Sequence, residues 1–169
     1  VPDAPRYVDG VLLIDGVEVS TADGHVVALG LSAGSPFPLG GEGRDVIEDI
    51  HRLGGFAIVA HPDSPRPDLQ WRPQAGGIGG GRGGGPIGGD LAGADGLEWL
   101  NADSEWRDDN WPAWINTLLH VNLRSAEAFA ALMERPATTL RRWDVVTRRR
   151  DVIGLSAVDA HGLVAGLYT

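Results

Sequence analysis

A chain of 169 residues is long enough for one domain with a real core and too short to expect two. Its net charge of -9 argues against a nucleic-acid-binding surface. Cysteine is absent, so any metal must be held by His, Asp and Glu, and with no lysine there is no lysine-dependent covalent chemistry.

No stretch approaches the ~18 apolar residues of a membrane span. The first residues carry no basic-then-apolar leader pattern, and the lack of cysteine does not separate cytoplasm from periplasm, so both locations stay open. Residues 1–10 are polar and contain proline, which predicts an irregular lead-in. Val11-Leu12-Leu13-Ile14 reads as a strand, Asp15-Gly16 breaks it, and Val17-Glu18-Val19-Ser20 resumes it. Glu18 alternates with two valines, which suits a solvent-facing residue of an edge strand as well as a ligand. Asp23-Gly24 predicts a hairpin turn into a strand that opens on His25. After a Gly- and Pro-containing loop, Val46, Ile47, Ile50 and Leu53 fall on one helical stripe over 42–53, with Gly54 as its stop. His51 lies off the centre of that stripe and reads as a surface residue.

Phe56-Ala57-Ile58-Val59-Ala60 has the length and composition of a buried strand, and His61 stands just past its end. In α/β folds such positions face the crevice where ligands bind. Pro62 biases His61 toward extended geometry. Residues 76–89 are mostly glycine, which predicts a mobile excursion at about 75–90. The stretch from Asp95 to Asn101 reads as another strand, and 101–110 as an acidic turn. A helix starting near Pro112 follows, with His120 as a packed or half-buried side chain and not a ligand. Ser125 is placed to cap a helix to Glu134 with Phe129, Leu132 and Met133 inward, and Thr138 or Thr139 to cap the next one, through Arg150. A last strand over 151–157 leads to Asp159-Ala160-His161. Strands alternating with helices make the chain α/β with a largely parallel sheet.

Glu18, His25, His61, Asp159 and His161 are then the candidate metal ligands. Carboxylate and imidazole together suit zinc, manganese or iron. Gly16-Val17-Glu18-Val19-Ser20, Gly24-His25, Ala60-His61-Pro62, Gly96-Leu97-Glu98-Trp99-Leu100-Asn101 and Asp159-Ala160-His161-Gly162 occur in the order seen in the polymerase and histidinol phosphatase (PHP) metallohydrolases, which the chain resembles over nearly its whole length. The stretch after Asp95 is most similar to the carbaryl-hydrolase-like branch. The resemblance implies a distorted (β/α)7 barrel, two or three divalent metal ions, and hydrolysis of a small phosphoester or carbamate ester. It implies that Glu18 bridges metals, that His25, His61 and His161 ligate, and that Asp159 ligates and orients or deprotonates water, with Asp159 and His161 the catalytic pair. Glu98 and Asn101 match a family motif and read as shaping the pocket. The family's opening His-x-His strand has no counterpart before Glu18, so the chain resembles a single PHP domain incomplete at its N-terminus, and hydrolysis is expected of an intact parent protein and not of the 169-residue chain alone. Exposed edges in such a domain predict self-association into a homo-oligomer. Two other readings stand beside this one: a PHP-like module that no longer hydrolyses and serves a binding or structural role, and an α/β protein whose histidines are incidental.

Overall fold

A computed structural model describes residues 4–31, 35, 37–72, 91–106 and 111–159. The glycine-rich stretch and His161 lie outside the described residues. The lead-in is not irregular: β1 (Arg6–Val8) and β2 (Val11–Leu13) form an antiparallel hairpin of their own, with Val8 opposite Val11. Asp9 and Gly10 between them have φ of 49° and 81°. Two successive positive φ values are what a type I′ turn requires, and Asp-Gly tolerates them. Every residue of both strands is exposed, so the pair carries no burial pattern by which sequence could reveal it.

The main sheet has five strands in the order β3-β4-β5-β6-β7. β3 (Gly16–Thr21) and β4 (Gly24–Leu29) are the hairpin that Asp23-Gly24 predicts, and β5 (Phe56–Val59) runs antiparallel to β4. β6 (Gly96–Asn101) and β7 (Ile153–Ala157) continue it in parallel. The (β/α)7 barrel is therefore not the architecture. Closing a barrel needs the two edge strands to pair, and here β3 and β7 stand at opposite edges of an open mixed sheet. The largely parallel sheet is corrected with it, because the tight turn after Thr21 forces the first strands to run antiparallel.

One face of this sheet carries the core. Val26, Ala28, Ala57, Val59 and Leu97 point to it, and α1 (Gly43–Arg52) lays Val46, Ile47 and Ile50 against them. Each buried branched side chain contributes about 1.5–3 kcal/mol. Asp23 in the hairpin turn is buried, and its Oδ2 accepts the Gly43 N–H at 2.7 Å. A carboxylate at a helix N-terminus is favourable, so one turn residue ties the strand pair to the helix. Val146 of α5 (Ala137–Thr147) and Val152 extend the same core toward β6 and β7. On the opposite face Phe56, Ile153 and Leu155 remain exposed.

Between β6 and α5 the turn expected after Asn101 is a short helix, α2 (Ala102–Trp106), started by Asn101 Oδ1 accepting the Ser104 N–H at 3.0 Å. α3 (Trp111–His120) ends on an exposed His120, not a packed one. α4 (Ser125–Ala130) begins at Ser125 without a side-chain cap, stops short of Glu134 and leaves Phe129 exposed. Leu132 is buried as expected, and Ala128 is buried where Phe129 is not. Thr139 does not cap α5: its hydroxyl donates to Asp63 Oδ2 at 2.5 Å, beside an Arg142 Nη2 to Asp63 Oδ1 ion pair at 3.2 Å. These bonds fasten α5 to the loop that follows His61. Among the described residues no helix is long and apolar enough to cross a membrane.

Candidate metal centre

Strand alternation explains how three of the sequence candidates meet. Val19 and Val26 face α1, so Glu18, Ser20 and His25 face the other way. Ser20 lies directly opposite His25, and Glu18 is its diagonal neighbour, within reach of a long side chain. Glu18 is an exposed residue of an edge strand, as the alternation allowed, and its carboxylate also reaches His25 and His61 across the sheet. The last ladder bond of β5, from Ala60 N–H to His25 carbonyl at 3.0 Å, sets His61 beside His25. Their rings meet edge to face with centroids 5.1 Å apart.

His61 is not extended, as the following proline suggested; its φ is 27°. A non-glycine residue in that region is strained, and such residues persist only where their surroundings over-determine them. The hydrogen bond from His61 N–H to Glu98 Oε2 at 2.8 Å is one such constraint. The side chain is 5% exposed as a residue, and among the described residues its Nδ1 has no hydrogen-bond partner.

Glu18 Oε1 lies 2.5 Å from His25 Nδ1 and 3.2 Å from His61 Nε2. A carboxylate only accepts, so without a cation both nitrogens must carry protons and donate to it. His25 Nε2 lies 3.3 Å from the Ser20 hydroxyl. Burial pushes the Glu18 carboxyl up, but hydrogen bonds from His25 and His61, together with their charge, outweigh it and hold the group below its ordinary value. One ligand atom from each of Glu18, His25 and His61 falls within 4.8 Å of the others. Two imidazoles and a carboxylate are a zinc-type donor set. The donors fit a divalent ion, which would take the place of the two protons.

Asp159, at the end of β7, is not in that group of three. It lines the same cavity of about 300 Å³, together with Glu18, His25, His61, Ser64 and Arg66. Its φ is 50°, and Asn101 Nδ2 donates to its Oδ2 at 3.2 Å. Of the five candidates, three converge, a fourth shares their cavity, and His161 lies outside the described residues. Ser20, Ser64 and Arg66 are lining residues that sequence reasoning missed. For Ser20 a signal existed, because a tight turn at Asp23-Gly24 dictates which residue faces His25. His51, read as a surface residue, is indeed half open and bonds Asp95 Oδ2 at 2.9 Å, well away from this site's ligands. Comparison with family models, with curated proteins and with solved structures finds no match for this chain.

Proposed function

We propose that the chain is a metal-dependent hydrolase that holds a divalent ion on Glu18, His25 and His61 and cleaves a small ester in the adjoining cavity. The observation that carries this reading is the convergence of those three donors, from two strands and one strand end, beside a polar cavity. The PHP resemblance supports the same chemistry and points to a phosphoester or carbamate ester. A divalent ion bound there supplies Lewis acidity, polarising the ester and acidifying water. Zinc, manganese and iron all suit the donors.

The chain's own residues do the rest. His25 and His61, on giving up to solvent the protons they donate to Glu18, would hold the ion together with the Glu18 carboxylate, which would also neutralise charge. Asp159, on the same cavity, accepts a proton at its carboxylate from attacking water. Arg66 at the rim faces the charged end of a small anionic substrate, although it also pairs with Asp68 at 3.0 Å. The volume of about 300 Å³ suits a small molecule and not a polymer.

The test is metal content by elemental mass spectrometry on the purified chain, with His61→Ala as control, followed by hydrolysis of p-nitrophenyl phosphate and an aryl carbamate. About one or more equivalents of metal, lost in the variant, together with metal-dependent turnover, is the expected result. Metal without turnover on either ester would leave a binding module. No metal would remove the reading.

A further inference from the structure

We infer that Glu98 and Asn101 are positioning residues: a clamp on β6 that fixes His61 on one side of the cavity and Asp159 on the other. The inference builds on the proposed metal site but stands on separate geometry. In a regular strand residues 98 and 101 would point to opposite faces. β6 is not regular. Glu98 pairs with Leu155, Leu100 with Ser156 and Asn101 with Ala157, so one extra residue is inserted between Glu98 and Leu100. Leu155 and Ala157 share a face, and the bulge therefore brings Asn101 round to the face of Glu98.

The consequence is a continuous chain of hydrogen bonds across three strand ends. Glu98 Oε2 accepts the His61 N–H at 2.8 Å and Asn101 Nδ2 at 2.9 Å. The same Asn101 nitrogen donates to Asp159 Oδ2 at 3.2 Å, while Asn101 Oδ1 accepts the Ser104 N–H at 3.0 Å. Only this orientation of the amide satisfies its three contacts, since both carboxylates need a donor and the backbone N–H needs an acceptor. Asn101 is 5% exposed, so it is locked from every side. The two ends of the clamp, His61 held through Glu98 and Asp159 held by Asn101, both have positive φ, 27° and 50°. Strained backbone is retained where surrounding bonds over-determine it. One buried amide and one carboxylate thus set the separation between a donor from the end of β5 and a carboxylate from the end of β7. Outer partners of this kind orient ligands, and their loss typically costs 10–100-fold in metal affinity.

Two isosteric variants separate the clamp from a bland structural role. In Glu98→Gln an amide oxygen can occupy the place of Oε2 and accept both bonds. Asn101→Asp puts an acceptor where both carboxylates require a donor. The first readout is the imidazole resonances of His61 in the metal-free chain, followed by NMR, with circular dichroism as the folding control. The second is Zn²⁺ affinity by calorimetry. Asn101→Asp and Glu98→Ala should shift the His61 ring signals and weaken Zn²⁺ binding by roughly 10–100-fold. Glu98→Gln should leave the ring signals in place and stay within about threefold. His61 signals and zinc affinity unchanged in Asn101→Asp would overturn the clamp, as would equal losses in Glu98→Gln and Glu98→Ala. Should Glu98→Ala not fold, the contrast between Glu98→Gln and Asn101→Asp decides alone. A wild-type chain that takes no Zn²⁺ overturns the proposed metal site, and the His61 resonances then judge the clamp by themselves.

Discussion

The two halves of the main sheet build the site by opposite means. In the antiparallel half, β3 to β5, regular alternation and an undistorted hairpin register put Glu18, Ser20 and His25 on one face, and only His61, with φ of 27° just past β5, departs from regular geometry. In the parallel half, β6 and β7, the useful residues arrive through irregularity: a bulge turns Asn101, and a left-handed residue ends the run at Asp159. The difference follows from what each half supplies. Donor atoms need to converge, which a pleated pair does by itself. Supports must reach across to groups on other strands, which a regular strand facing alternately up and down does not allow.

The largest expected effect tests that division directly. His61→Ala removes a donor from the antiparallel half and should lower turnover by more than about 10²-fold with loss of bound metal. Asn101→Ala, in the other half, should retain metal at reduced affinity. Equal losses in the two variants, measured by metal content and initial rates, would dissolve the distinction between donors and supports.

Next comes the packing that lets the parallel strands approach. A Cβ at Gly96 would meet the Ile153 carbonyl oxygen and Ile58 Cδ1, both at 2.8 Å. Backbone oxygen cannot step aside as a side-chain tip can, so Gly96→Ala should cost roughly 1–3 kcal/mol in urea unfolding. At Gly43 a Cβ would lie 2.6 Å from Trp71 and 3.0 Å from Asp23 Oδ2, both side-chain atoms. Gly43→Ala should therefore be the milder of the two. The reverse order would mean that the helix α1 contact, and not the strand contact, is the less yielding.

A smaller effect is pH-dependent. The Glu18 carboxyl titrates below its ordinary value because the two histidines outweigh the effect of burial. Its folded pKa lies under its unfolded one, so the stabilisation is full above the ordinary carboxylate range and fades as pH falls through the lowered value. Metal-free Glu18→Gln should thus unfold with a shallower acid dependence than the parent; superimposable pH profiles would show that the antiparallel half gains nothing from the charged carboxylate. The smallest effect belongs to Ser20→Ala, which removes the hydroxyl near His25 Nε2. A neutral contact of this kind is worth about 0.5–1.5 kcal/mol, so Zn²⁺ affinity should fall by roughly tenfold at most.

Much of the first half was legible. The helical stripe of Val46, Ile47 and Ile50, the Asp23-Gly24 turn and the apolar run before His61 each depend on neighbours in sequence, and each appears where the pattern predicts. Glu18, His25 and His61 could be named because a hairpin and a strand end are local features. Less was legible beyond Asn101. Helix α2 arises because an asparagine at the end of β6 accepts a backbone N–H, and the Thr139 hydroxyl was drawn from capping to Asp63, far away in sequence.

Sequence alone determined the strands of the main sheet, the breakers between them, and the candidates Glu18, His25 and His61 that the structure brings together, because periods of two and of 3.6 residues are written residue by residue. Strand order, the open edges at β3 and β7, the face that Asn101 takes and the left-handed backbone of His61 were decided in the tertiary structure. Each of these depends on which strand pairs with which, and that pairing is settled by packing between segments distant in the chain, where no local period records it.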